Sequence, residues 1–394
     1  MPIYNSIAAF HDEMTAWRRD LHANPELGFE ETRTAAFIAD KLRAWGVEVH
    51  EGMAGTGVIG VLRGPGAGKG AIGLRADIDA LPMTEETGLP HASTIPGTMH
   101  GCGHDGHTVM LLGAARHLAE TRNFDGTVVL IFQPAEEVGG QDSGGARMVR
   151  EGMFDRFPVD TVWGLHNSPN MPFGTIGVRT GPAMAASDSF DVTIEGKGGH
   201  AARPHTTIDP VAVGTQLYQA FQTIVSRNAD PVESAVLSVT IFQSGEAYNV
   251  IPARSRLAGT VRTYRPAVRD MIERRMGEIC AGLAAAHGCT IRLAYDRGYP
   301  ALITTAAESA FAADVARAVV GDDKVDSDIP PVMGGEDFAY MLEARPGSFV
   351  RLGTSRGPDT PLVHHPRYDF NDEALPIGAS FWVKLVETAL PRRA

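Results

Sequence analysis

The amino-acid sequence predicts an α/β fold: an open, mixed-sheet domain interrupted by a smaller ferredoxin-like α+β insert. Three observations predict it. From residue 71, short apolar runs alternate with amphipathic stretches, as strands alternating with helices do. Acidic and imidazole side chains fall at the ends of those runs, where open α/β sheets gather their functional groups. Near residue 183 the pattern changes to strands of alternating apolar and polar residues, in the order β-α-β-β-α-β.

In chain order, "MPIYNSIAAFHDEMTAWRRD" reads as an amphipathic helix. It lacks the basic start, apolar stretch and small-residue cleavage site of a secretory signal. "AIGLRAD" is a strand ending at Asp77, "HTVMLLGAARHLAET" carries apolar residues at helical spacing, and "GTVVLIFQ" is a buried strand followed by "PAEE". "GARMVREG" is a helix and "VDTVWGLH" a strand ending at His166. In the insert, "DSFDVTIEG" opens the unit and the helix "DPVAVGTQLYQAFQTIV" follows. The strands "AVLSVTIFQSG" and "SRLAGTVRTY", the helix "AVRDMIERRMGEICAGLAAAHG" and the strand "CTIRLAYD" complete it. Helix and strand signals then resume, through "FVRLGT" and "VHHPRYDFND" to a terminal helix. The expected domains are 1–183 with 299–394, and 184–298.

At 394 residues the chain can build an ample core. Its 35 lysines and arginines against 47 acidic residues give a net charge of −12, and no basic run stands out, which argues against a nucleic-acid partner. No apolar stretch reaches the roughly 18 residues a membrane span needs. Three cysteines without a framework fit a reducing, cytoplasmic location.

The densest chemistry is "HGCGHDGHT", residues 100–108. Cys102 and His104, two apart on a glycine-rich loop before a helix, can face one metal ion. The loop lacks the paired C-x2-C spacing of a zinc ribbon, so further ligands must come from distant chain. Two other readings stand beside this: Cys102 as a nucleophile activated by His104, and a polar helix start with no ligand. Asp105 and His107 could cap the helix or orient a ligand. In "QPAEE", the adjacent Glu136 and Glu137 after a buried strand would repel each other unless a cation compensates one and the other serves as a base; a solvated turn explains the pair equally. Asp77 and Asp79 in "RADIDALP" are either a turn or a ligand-supporting pair. His166 ends a strand, and one histidine of "PLVHHPRYDFND" could complete a site. His200, Asn249 and Arg262 fall in the insert.

Together these pieces resemble the metal-dependent amidohydrolases that include hippurate hydrolase, N-acyl-amino-acid amidohydrolases and indole-acetyl-amino-acid hydrolases, and more distantly carboxypeptidase G and the aminoacylases. "HANPELGFEE", "RADIDALP", "HGCGHDGHT", "FQPAEE", "GLHNSP", "GKGGHAARPH", "YNVIP", "GTVRT", "MGGEDFAY" and "HHPRYDFND" occur in order along nearly the whole chain. The resemblance implies a dinuclear-metal hydrolase domain with two divalent ions (zinc, manganese or cobalt) held by Cys102, His104, Glu137, His166 and His364. Glu136 falls on the family's catalytic glutamate, which takes a proton from the attacking water and delivers it to the leaving amine. The insert looks like the family's lid and dimerisation module, in a homodimer or homotetramer. By this analogy His200 would stabilise the oxyanion in a neighbouring subunit's site, Asn249 and Arg262 would contact substrate, and Gly335 would let backbone approach it; Asp79 would support a ligand. More distant relatives carry histidine where Asp77 stands here, which favours the hippurate-hydrolase branch. The implied reaction is hydrolysis of N-acyl-L-amino acids. The alternatives are an N-acetyl-diaminopimelate deacetylase, a dipeptidase or carboxypeptidase on the same fold, or a non-catalytic binding protein.

Overall fold

The computed structural model describes residues 3–66, 68 and 70–392. It divides into two compact units. One comprises the chain as far as Ala183, Ile303–Pro330 and the chain from Asp337 onward; the other comprises Met184–Leu302 and Pro331–Glu336. The return segment Pro331–Glu336 has no helix or strand of its own, so no periodicity marks it in the sequence. Ala185 N–H holds it to the second unit by donating to the carbonyls of Val332 and Gly334, at 3.2 and 3.0 Å.

The first unit is built on a mixed sheet, eight-stranded among the described residues. Its spatial order is Glu48–Met53, Gly57–Arg63, Thr127–Gln133, Ala71–Asp77, Thr161–Ser168, Gly347–Gly353, Ile176–Val178, Val325–Asp326. Ala71–Asp77 runs parallel to both Thr127–Gln133 and Thr161–Ser168, and the latter runs parallel to Gly347–Gly353. Gly57–Arg63 is antiparallel to both of its neighbours. The central strands are covered on both faces, which is why Val128–Phe132 is apolar throughout rather than alternating. Helix His104–Thr121 packs on helix Leu375–Ala389 so closely that a Cβ on Gly378 would lie 2.0 Å from Met110 Sδ. The amino-terminal stretch forms two helices, Asn5–Ala9 and His11–Ala23, broken at Phe10.

Sheet register positions the site. Asp77 lies opposite Gln133, so two parallel strands end together. The neighbouring strand carries His166 and continues two residues beyond it, to Ser168.

The second unit is a four-stranded antiparallel sheet in the order Ala235–Ser244, Arg254–Thr263, Ala186–Glu195, Thr290–Arg297, with helices Pro210–Arg227 and Pro266–His287 packed on it. Alternate residues Phe190, Val192 and Ile194 are buried with Leu217, Phe221 and Met276 from the helices. The first helix begins with Pro at its first position and Asp209 accepting from Val211 N–H at 2.8 Å; the second stops at Gly288, whose φ of +62° suits a left-handed cap. Among the described residues, no helix is long and apolar enough to cross a membrane.

Candidate metal centre

Four chain segments meet at the carboxyl ends of the parallel strands. The loop Gly101–Gly103 brings Cys102, and the helix that starts at His104 follows directly. Gly103 is at φ +96°, and a Cβ there would sit 2.6 Å from both Asn167 Nδ2 and Tyr368 Oη; only glycine fits. After strand Thr127–Gln133 the chain turns sharply at Ala135, φ +51°, and presents Glu136 and Glu137. The buried Glu31 holds this turn by accepting from Ala135 N–H at 2.8 Å. His364 also has positive φ, 66°, and its N–H donates to Gly101 O at 2.7 Å, tying the carboxyl-terminal segment to the Cys102 loop.

The donor atoms form overlapping trios, each within 4.8 Å: Cys102, His104 and His166; Cys102, Glu137 and His364; His104, Glu136 and Glu137. All five sequence-predicted metal ligands and Glu136 are therefore brought together. Cys102 Sγ is 3.5 Å from His166 Nε2, and His364 Nε2 is 3.2 Å from Glu137 Oε1.

Asp79 aligns two of these groups. His104 Nδ1–H donates to Asp79 O and Oδ1 at 3.0 and 3.1 Å, and Asp79 Oδ2 accepts from Glu137 N–H at 2.9 Å. That leaves His104 Nε2 as the ligand nitrogen, buried and without a hydrogen-bond partner; Glu137 Oε1 is orphaned in the same way, its approach to His364 being outside hydrogen-bond alignment. His166 Nδ1–H donates to Asn167 O at 2.7 Å, freeing its Nε2 likewise.

The electrostatics ask for a cation. Burial, and then Glu137, pushes the Cys102 thiol up. Burial opposes charge on His104, but Asp77 and Cys102 outweigh it and raise its pKa well above the ordinary value. His364 is pushed up to about 10 by the neighbouring Cys102 and then Glu137. Burial and the neighbouring His107 hold His166 well below its ordinary value. The Cys102 thiol and the His104 and His364 imidazoles hold protons that a divalent ion can displace. The residues present fit such an ion.

Behind the cage runs a buried network of which the sequence offered Asp77 and His107 but not Arg75, Gln133, Asn167, Asp337 or Tyr368. Arg75 donates to Asp77 Oδ2 at 2.6 Å, to Gln133 Oε1 at 2.9 Å and to Asp337 Oδ1 at 2.9 Å. Asp77 Oδ1 accepts from His107 Nδ1–H at 2.6 Å, and His107 Nε2 accepts from Asn167 N–H at 3.0 Å. Asn167 Nδ2 donates to Cys102 O at 2.6 Å, and its Oδ1 accepts from Tyr368 O–H at 2.5 Å. His107 thus joins Asp77 to the backbone beside His166. Asp105 turns away from the donors: its Oδ2 accepts from His22 Nδ1–H at 2.8 Å and it makes no helix cap. Asn167 and Glu31 stand within the motifs "GLHNSP" and "HANPELGFEE", which was their available signal.

The remaining predicted residues lie in the second unit. His200, exposed, pairs with Val250 across two short strands, and Asn249 O accepts from Ala201 N–H at 3.0 Å. Arg262 is half-buried on strand Arg254–Thr263 and donates to Val261 O at 3.0 Å. A Cβ on Gly335 would lie 2.4 Å from the Tyr299 ring, so packing within this unit alone accounts for the glycine.

Comparison with known proteins places these features in a family. The model of "Peptidase family M20/M25/M40" matches residues 73–388. N-acetylcysteine deacetylase of Bacillus subtilis (strain 168) is 40% identical over 387 residues, covering 97% of this chain and 98% of its own. Hippurate hydrolase of Campylobacter jejuni is 38% identical, with 98% of each chain covered. A solved structure described as a dinuclear metal binding peptidase from the M20 family, from Bacillus subtilis, superposes with a TM-score of 0.85 at 35% identity, over 98% of this chain and 99% of its own.

Proposed function

The chain belongs to peptidase family M20/M25/M40, and from that premise we propose that it is a metal-dependent amidohydrolase that cleaves N-acyl-L-amino acids into a carboxylate and a free amino acid. The observation that carries this reading is the pair of donor trios sharing Cys102, with Glu136 grouped beside His104 and Glu137.

Cys102, His104 and His166 would hold one divalent ion, and Cys102, Glu137 and His364 a second. Such ions supply polarisation of the scissile carbonyl and lower the pKa of the attacking water from ~16 towards ~7. Glu136 accepts the proton that water loses as its oxygen bonds to the carbonyl carbon. The same carboxyl returns that proton to the amide nitrogen as the C–N bond breaks, so the products are the acid and the free amine. Asp79 keeps His104 in the tautomer that leaves Nε2 available and orients the Glu136–Glu137 turn through Glu137 N–H. Arg262 receives the substrate carboxylate, a task its planar fork suits, and Asn249 is a further substrate contact. His200 serves the oxyanion of a neighbouring subunit in a dimer built through the second unit. The exposed apolar side chains of that unit, Val211, Tyr218 and Phe242, support such an interface. The thiolate favours zinc, while the oxygen and imidazole donors also suit manganese or cobalt. Three free cysteines support a cytoplasmic location.

The test is hydrolysis of hippurate and N-acetyl-methionine by purified protein, by chelator-stripped protein, and after adding zinc, manganese or cobalt. Activity should disappear on stripping, return with metal, and be lost in Glu136→Gln. Full activity in stripped protein, abolished by alkylating Cys102, would replace this reading with thiol catalysis.

A further inference from the structure

Within the first unit, on chain segments that flank His166 and His364, lies a cavity of about 540 Å³ whose apolar wall is Pro169, Pro172, Phe173, Pro358 and Leu362. Its volume falls in the range of small-molecule sites, roughly 300–1,000 Å³. It is far larger than an acetyl group needs.

Its walls grow from two adjacent strands, one of which carries His166. Thr161–Ser168 and Gly347–Gly353 are parallel neighbours, with His166 opposite Arg351 and Ser168 opposite Gly353. Their pairing continues past the strands: Thr354 N–H donates to Ser168 O at 3.1 Å and Ser355 N–H to Met171 O at 3.2 Å. Pro169 is three residues beyond His166 and Leu362 two before His364. Extended chain covers at most about 3.6 Å per residue, so the walls start within about 11 Å and about 7 Å of two candidate ligands. An extended or aromatic acyl group bonded to a carbonyl at the cage can span distances of that order; an acetyl group cannot.

The cavity's charge is as informative as its size. Every lining side chain is uncharged. Arg356, on the same wall segment, is turned elsewhere: it donates to Asp369 Oδ2 at 2.9 Å and to the carbonyls of Asp369 and Phe370 at 3.0 and 2.7 Å. It is not available for an anionic acyl group. Phe173 and Leu362 meanwhile keep 39% and 55% of their surface open, which is surface an apolar ligand would cover.

We propose that this cavity is the acyl subsite, that it selects bulky, uncharged acyl groups of the benzoyl or indolyl-acetyl class over acetyl and over dicarboxylic acyl groups, and that Phe173 and Leu362 set the preference. This rests on the amidohydrolase reading above. The test compares kcat/KM for benzoyl-, acetyl- and succinyl-methionine in the metal-loaded parent, Phe173→Ala, Leu362→Ala, the double variant and Leu362→Arg. Benzoate binding to each protein is measured by calorimetry as a readout independent of turnover. The parent should prefer benzoyl, and the benzoyl-to-acetyl ratio should fall about tenfold in the double variant, with benzoate binding lost in step. Leu362→Arg should raise succinyl relative to benzoyl. Both side chains are partly exposed, and unchanged melting of each variant verifies folding. A ratio that stays constant across variants while acyl-methionines are still cleaved overturns the subsite alone. A parent that cleaves no acyl-methionine, with metals bound, overturns the underlying reading and the subsite together.

Discussion

Replacing Glu31 by Gln should stabilise the metal-free protein at neutral pH and leave it little changed in acid. Glu31 is fully buried. Burial pushes its carboxyl up from the ordinary 4.5 to about 7, against a hydrogen bond from Thr56 that lowers it and with the nearby negative Asp79 adding to the rise. Ionising it in the folded chain therefore costs about 3 kcal/mol more than in the unfolded chain, at about 1.4 kcal/mol per tenfold change in proton affinity. The folded pKa is the higher one, so between pH 4.5 and 7 the folded state holds the proton that the unfolded state has lost. Stability falls as pH rises through that window and levels off above it. Glutamine cannot ionise but keeps an acceptor for Ala135 N–H. Any constant difference in packing cancels when variant and parent are compared across pH. Denaturant unfolding of chelator-stripped protein at pH 4.5, 6 and 8 should show the variant gaining about 3 kcal/mol on the parent over the series. Parallel curves would refute the reasoning and mean that the hydrogen bonds from Ala135 and Thr56 fully offset burial.

Two further outcomes are expected. Arg75→Met leaves Asp77 and Asp337 buried without the cation between them; stability should drop by about 3–5 kcal/mol, read from the denaturation midpoint. Because Cys102 belongs to two trios while His166 and His364 belong to one each, metal titration of the stripped protein should show one weakened ion in His166→Ala and in His364→Ala, and both weakened in Cys102→Ala; equal losses in all three would contradict the shared thiolate.

Much of the fold was legible because its elements are periodic. Val128–Phe132 is an uninterrupted apolar run, and Ala186–Glu195 alternates buried residues with half-buried or exposed ones along its length. The segment Pro331–Glu336, having no period, was not legible, and its place in the second unit follows from two backbone hydrogen bonds to Ala185. The candidate ligands follow from cysteine, histidine and paired glutamates by type, and His166 and His364 from the family resemblance. The residues that align them show less. Asp79 was legible as a ligand-supporting carboxylate in "RADIDALP", but Asn167 and Glu31 act through hydrogen bonds to groups 65 and 104 positions away. Nothing about an alanine at 135 reveals the left-handed turn that Glu31 holds. Asp105, by contrast, looked like part of the site by proximity alone. Its neighbour His104 faces the donors, while Asp105 faces helix His11–Ala23, because successive residues on a helix point about 100° apart.

The order of ligands along the chain sets a rule for biosynthesis. Cys102, His104, Glu137 and His166 precede the inserted Met184–Leu302 unit, and His364 follows it. On the ribosome, the insert has all of its strands and both helices before the sheet strand Gly347–Gly353 has been translated. A growing chain can therefore complete its insert while its catalytic sheet is still open. With His364 as a proposed ligand, a full pair of ions awaits the segment that carries it and docks on Gly101. On the proposed ligand set, a chain ending before that docking would lack one donor of the second ion and hold it less tightly than the finished chain.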